Sequence, residues 1–137
     1  RLMDVAAASR RAADAARGAG GRGGGGTLVV SHDAYGWLCK RYGFTALPIT
    51  GLSAGEPTPR SLERAIAAVK AAKAPAVFVE PQLSPASAKA VAKATGAKVL
   101  TLDPLGNGDW FAMMEANLAA IREGLGVREP APAVQEK

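Results

Sequence analysis

The chain has 137 residues, a length that suits one domain with a real hydrophobic core, and 48% of them are hydrophobic. Its longest apolar runs fall far below the ~18 residues of a membrane span, which points to a soluble, globular segment. The net charge of +5 raises the question of nucleic acid, but residues 27 to 126 hold ten basic and eight acidic groups, spread along helix-like stretches with no interleaved aromatic platform. That distribution excludes a phosphate-tracking groove in favour of a solvated face.

Taken in chain order, Leu2 to Arg17 is rich in Ala and Arg and favours helix, with Leu2, Val5 and Ala6 as a weak apolar stripe. Gly18 to Gly26 then supplies seven glycines in nine residues, a connector that breaks the helix. Gly18, Gly20 and Gly23 match a dinucleotide-binding spacing, but that mechanism needs a strand before the glycines and a helix after them. Here the order is reversed. Residues 1–26 are therefore expected to form a helix remnant and linker that adds little to the core.

From Thr27 the pattern alternates between strand and helix. Strands are predicted at Thr27–Ser31, Ala46–Thr50, Ala76–Glu80 and Lys98–Leu102, and helices at Asp33–Tyr42, Arg60–Ala72, Pro85–Thr95 and Trp110–Leu125. Thr58-Pro59 and Ser84-Pro85 read as N-caps followed by proline at the first helical position, while Gly43 and Gly96 suit left-handed helix ends. Leu62, Ile66 and Val69 form one apolar stripe, and Trp110, Met114, Leu118, Ile121 and Leu125 form another. Short non-alternating strands such as Val29-Val30 and Val77-Phe78-Val79 imply burial on both faces. The fold class is therefore α/β, with a four-stranded, mainly parallel sheet flanked by helices over residues 27–126. Residues 127–137 carry two prolines and no apolar period, and should be a disordered tail.

In an open parallel sheet the carboxyl ends of the strands share one edge, where ligands bind. His32, the only histidine, follows the first strand, Glu80 the third and Asp103 the fourth, so their side chains should converge on one crevice. His32 offers a nitrogen and Asp103 a hard oxygen, a pair accepted by zinc and also by manganese or iron. Each has a plainer role open to it: a loop imidazole for His32, and for Asp103 a turn whose carboxylate accepts from nearby backbone N–H groups. Glu80 either orients His32 through its second nitrogen or holds a loop, and Asp33 is placed to cap the helix it begins. Cys39 is the lone cysteine and needs no role beyond packing. Tyr35 and Trp37 near the crevice are likewise accounted for as packing residues.

Three segments carry a family resemblance: Ser31-His32-Asp33-Ala34-Tyr35-Gly36, Phe78-Val79-Glu80-Pro81-Gln82 and Thr101-Leu102-Asp103-Pro104-Leu105-Gly106. In this order and at these separations, over about Leu28 to Leu125, the chain resembles the C-terminal lobe of the zinc-binding solute-binding proteins of bacterial metal ABC importers. The resemblance implies one lobe of a two-lobed metal receptor, a binding protein and not an enzyme, with His32 as a metal ligand and Asp103 at or beside the metal. Glu80 and Asp33 fall where second-sphere groups would stand. A histidine at position 32 favours Zn2+ over Mn2+ or Fe2+, since manganese-preferring relatives are expected to carry a carboxylate there.

The implied partners are the metal ion, an ABC permease and the missing N-terminal lobe, which in complete members supplies two further histidines. The implied location is periplasmic or otherwise extracytoplasmic, with membrane contact only through the permease or an anchor. The absent lobe and the glycine run depart from the family, so the chain is expected to be a fragment or to pair with a separate lobe. Rival readings are a manganese or iron receptor lobe, a metal-dependent hydrolase using Glu80 or Asp103, and a metal-free interaction module.

Overall fold

A computed structural model describes residues 1–19, 26–50 and 56–126. The central part of the glycine connector and the C-terminal tail expected to be disordered lie outside the described residues. The elements are α1 (Leu2–Ala19), β1 (Thr27–Val30), α2 (Gly36–Tyr42), β2 (Thr45–Pro48), α3 (Pro59–Ala72), β3 (Ala76–Val79), α4 (Ala86–Thr95), β4 (Lys98–Thr101) and α5 (Trp110–Gly124). The four strands form one sheet in the order β2-β1-β3-β4, and every pairing is parallel, as the alternating pattern predicts.

The sheet is covered on both faces. Leu28, Val30, Ala76 and Phe78 point one way, into a cluster with Val5 of α1, Leu38 and Cys39 of α2, and Met114, Leu118 and Ile121 of α5. Val29 and Val77 point the other way, against Ala65 and Val69 of α3 and Ala88 and Val91 of α4. The central strand β1 is thus sealed at Leu28, Val29 and Val30, whereas β2 and β4 are partly open as edge strands. Each fully buried aliphatic or Phe side chain contributes ~1.5–3 kcal/mol, so this double-sided core is the main source of stability.

Local signals set most helix ends. Thr58 Oγ1 accepts from the Ser61 N–H at 3.2 Å with Pro59 in the first turn, and Gly43 and Gly96 occupy left-handed positions at φ 78° and 77°. Three expectations need correction. Asp33 does not cap α2: the Ala34 N–H bonds back to the His32 carbonyl, which bends residues 31–34 and delays the helix until Gly36. Ser84 is displaced in the same way, because Pro85 is itself the cap of α4 and Ser84 Oγ lies 3.4 Å from the Ala86 N–H. Trp110 is 43% exposed and not part of the core stripe; its first-turn position precedes the part of α5 that covers the sheet, and its ring meets Phe111 edge-on at 5.2 Å.

α1 also packs more closely than its weak stripe predicts. Val5 and Ser9 are buried, Ala8 lies against the core, and the Ser9 hydroxyl donates to the Val5 carbonyl at 2.9 Å. Small side chains at these positions let the helix approach α5 without bulk. The Arg1 guanidinium fastens its start, bonding Glu115 at 3.2 and 3.3 Å and lying 5.0 Å over the Phe111 ring.

Candidate metal centre

β1 continues its pairing past its last residue, since the Ser31 N–H donates to the Phe78 carbonyl at 3.0 Å. The Leu102 N–H does the same to the Val79 carbonyl at 2.9 Å. These bonds fix His32, Glu80 and Asp103 one residue beyond the paired strands, all at the carboxyl edge of the sheet. The chain leaves β1 for β2 on one side and reaches β3 on the other, so the gap between β1 and β3 is the topological switch point. His32 and Glu80 flank it.

The two side chains meet there. His32 Nδ1 lies 2.5 Å from Glu80 Oε1, and neither atom has another polar partner among the described residues. The His32 side chain is 18% exposed and that of Glu80 only 5%, so the imidazole keeps a route to solvent while the carboxylate has none. Burial pushes the Glu80 carboxyl above its ordinary range, opposed by the nearby charge and hydrogen bond of His32. The Tyr35 hydroxyl donates to the Leu102 carbonyl at 3.0 Å, and burial, with the charges of Glu80 and Asp103 adding to it, raises the phenol well above its usual value. Tyr35 therefore stays neutral and walls the pair. Burial also pushes the Cys39 thiol up to about 11, which leaves it a packing residue. Trp37, expected to pack, is instead 62% exposed.

Asp103 stands at the same edge but is engaged elsewhere. Its Oδ1 accepts from Gln82 Nε2 at 2.9 Å and from the Leu105 and Gly106 N–H groups at 3.0 Å each. Its backbone is clamped by Asn117, whose Oδ1 accepts from the Asp103 N–H at 2.8 Å and whose Nδ2 donates to the Asp103 carbonyl at 2.7 Å. The Gln82 bond, then those from Gly106 and Leu105, hold the carboxyl below its usual range. Among the described residues no three His, Cys, Asp or Glu side chains group as a metal cage. Asp33 is exposed in the bend after His32.

Gln82 and Asn117 are the residues that sequence reasoning missed. Asn117 carried a usable signal, a polar residue beside Leu118 on the apolar side of α5.

The lowered value of Asp103 has a definite consequence. A carboxylate depressed by folding contributes stability that is fully present above its unfolded value and is lost as pH falls through the folded one. Asp103→Asn keeps an oxygen acceptor for the turn but removes this titration. Melting curves recorded on acidification should therefore fall less steeply for the variant than for the parent chain.

A parallel sheet with helices on both faces and a polar crevice at its switch point is an architecture that one lobe of a solute-binding protein shares with other open α/β folds. The family model described as "zinc-uptake complex component A periplasmic", ZnuA, matches residues 13–124, and the chain belongs to this family. It is 40% identical over 80 residues to the high-affinity zinc uptake system protein ZnuA of Yersinia pestis, covering 58% of this chain and 25% of that protein. It is 29% identical over 115 residues to the zinc-binding lipoprotein AdcA of Streptococcus pneumoniae, covering 77% of this chain and 23% of that one. The solved laminin binding protein Lmb of Streptococcus agalactiae, described as bifunctional with adhesin and metal transporting activity, superimposes with a TM-score of 0.74 at 32% identity. That match covers 90% of this chain and 48% of Lmb. The chain thus spans about a quarter of the length of the curated relatives it matches and about half that of the solved one.

Proposed function

We propose that this chain is the C-terminal lobe of a receptor that binds zinc outside the cytoplasm and hands it to an ABC importer. The observation that carries the reading is the His32–Glu80 pair. With Nδ1 turned to a buried carboxylate, the imidazole has Nε2 as its available donor, the arrangement by which outer carboxylates fix a histidine ligand's tautomer and raise its basicity. Zinc is the cargo here, and the donors suit it: a neutral imidazole nitrogen, with a carboxylate oxygen of Asp103 at the same edge. Asp103 Oδ1 is already taken by three donors, so Asp103 acts through its other oxygen or by shaping the turn beside the metal.

Two donors do not fill the four positions zinc prefers. The remainder would come from an N-terminal lobe of the kind that the greater length of the relatives accommodates. The lobe would close over His32, and the closed receptor would dock on the permease. Nothing in this role calls for turnover: the chain binds and presents.

The reading is tested by titrating zinc into this chain alone and into its mixture with a complementary N-terminal lobe from a relative. Weak binding alone and binding at least a hundredfold tighter in the mixture is the expected result. Equal affinity in both would show that the second lobe adds no ligand.

A further inference from the structure

The Tyr35 side chain reaches both halves of the site from the segment that carries His32. The Ala34 N–H bonds back to the His32 carbonyl at 3.0 Å and the Cys39 N–H to the Tyr35 carbonyl at 2.9 Å, so the chain bends after His32 and starts α2 just beyond Tyr35. Tyr35 is left 5% exposed, in the cluster with Leu38, Leu102 and Ile121. Phe44 and Phe78 fill the same cluster without a polar tip, so the ring of Tyr35 needs no hydroxyl to pack. A buried hydroxyl costs stability unless it is bonded, and its partners decide what it does.

Those partners stand at the ends of β3 and β4, the strands that follow β1 across the sheet. The hydroxyl donates to the Leu102 carbonyl at 3.0 Å, just past β4, and the Glu80 carboxylate, just past β3, lies within hydrogen-bonding reach of the same phenol. One proton thus has two acceptors, and the phenol bridges the two strand ends. The Leu102 carbonyl belongs to the same planar peptide unit as the Asp103 N–H, which donates to Asn117 Oδ1 at 2.8 Å. Side chains therefore grip that peptide at both polar ends, and its plane sets the direction in which Asp103 leaves the sheet. Glu80 in turn faces His32 Nδ1. The contacts run from His32 through Glu80 and Tyr35 to the Leu102–Asp103 peptide without a break.

We propose that Tyr35 is a positioning residue of this metal centre, its hydroxyl holding Glu80 against His32 Nδ1 and tying that pair to the peptide that aims Asp103. The consequence for metal rests on the zinc reading, whereas the hold on the imidazole rests on the contacts alone. Without the hydroxyl, Glu80 is free to turn from His32, and the imidazole is free to exchange its proton between Nδ1 and Nε2. The nitrogen meant for the metal would then be protonated part of the time.

Tyr35→Phe keeps the ring and removes the hydroxyl. In the metal-free chain labelled with 15N-histidine, above the titration of the imidazole, the parent should show one neutral tautomer with its proton on Nδ1, and the variant a mixture of the two. Zinc affinity by calorimetry should fall roughly tenfold, the lower end of the loss usual when an outer partner of a ligand is changed. In a Glu80→Gln background the same change should alter affinity less than about twofold, because Tyr35 acts through Glu80. Val91→Ala, in the core on the opposite face of the sheet, should lower the melting temperature and leave tautomer and zinc affinity unchanged. A Tyr35→Phe chain that melts lower yet keeps the parent's tautomer and zinc affinity would overturn the proposal and leave the hydroxyl a structural bond only. Should the parent bind no zinc, the receptor reading falls, and the tautomer comparison still decides the role of Tyr35. The 13C resonance of Tyr35 Cζ, read on the parent and on Glu80→Gln, does not need Tyr35→Phe to fold: it should move when the carboxylate is lost, and an unchanged resonance would overturn the proposal as well.

Discussion

Replacing His32 by alanine is expected to abolish most of the zinc affinity of this chain, because it removes the only imidazole in the sequence, which stands at the crevice against Glu80. Glu80→Gln is the sharper variant. It keeps the shape of the side chain and an oxygen near His32 Nδ1 but removes the charge, and losses of ~10 to 100-fold are usual when such an outer partner is changed. Calorimetry on the parent and both variants gives the ranking: His32→Ala worst, Glu80→Gln intermediate. Binding should also weaken in acid, since a ligating nitrogen must be free of its proton. Zinc affinity that survives His32→Ala would place the metal elsewhere.

The second large effect concerns the fold that holds this pair in place. Gly124, at the end of α5, lies directly over the Phe78 ring, and a Cβ there would run into that ring and come within 3.1 Å of the Ala76 Cβ. Phe78 is 1% exposed and sits in the middle of the sheet, so its ring has no free space to yield. Gly124→Ala should therefore destabilise by ~1–3 kcal/mol through overpacking, more than the fraction of a kcal/mol gained from helix propensity at a helix end. Phe78→Ala should cost ~3–5 kcal/mol by leaving a cavity. The double variant should be less destabilised than the sum, because the added methyl enters the space the ring leaves. Denaturant unfolding of the three proteins measures this, and strict additivity would mean that Gly124 and Phe78 do not share the contact.

Sequence periodicity carried the fold well because both of its signals were local. Apolar runs such as Val77-Phe78-Val79 marked strands covered on both faces, and Thr58-Pro59, Gly43 and Gly96 marked helix ends through chemistry confined to a few residues. Where the outcome hung on a tertiary contact, the reading slipped. Asp33 had the right chemistry for a cap, but the bend at His32 and Ala34 moved the start of α2 three residues on. The weak stripe of α1 concealed a close approach made by Val5, Ala8 and Ser9, since small side chains pack by proximity and leave little trace in hydrophobic periodicity.

The candidate site was legible to the same degree. Parallel topology alone sends His32, Glu80 and Asp103 to one edge, but it does not say which of them meet. That His32 pairs with Glu80, while Asp103 is held by Gln82, Leu105, Gly106 and Asn117, depends on rotamers and on the neighbour order β1-β3-β4. Gln82 and Asn117 went unnoticed because an amide side chain has no distinctive spacing until its partner is in place.

Because the chain has a single histidine, the metal-binding role of His32 is open to one direct measurement. Labelling the chain with 15N-histidine gives the two ring nitrogens of a single imidazole, which can be followed as zinc is added. The Nε2 resonance is expected to move to a metal-bound position while Nδ1 keeps its proton, held by Glu80, and Glu80→Gln should weaken the response. A zinc-induced shift at Nδ1 in place of Nε2, or no shift at either nitrogen at saturating zinc, would contradict that role.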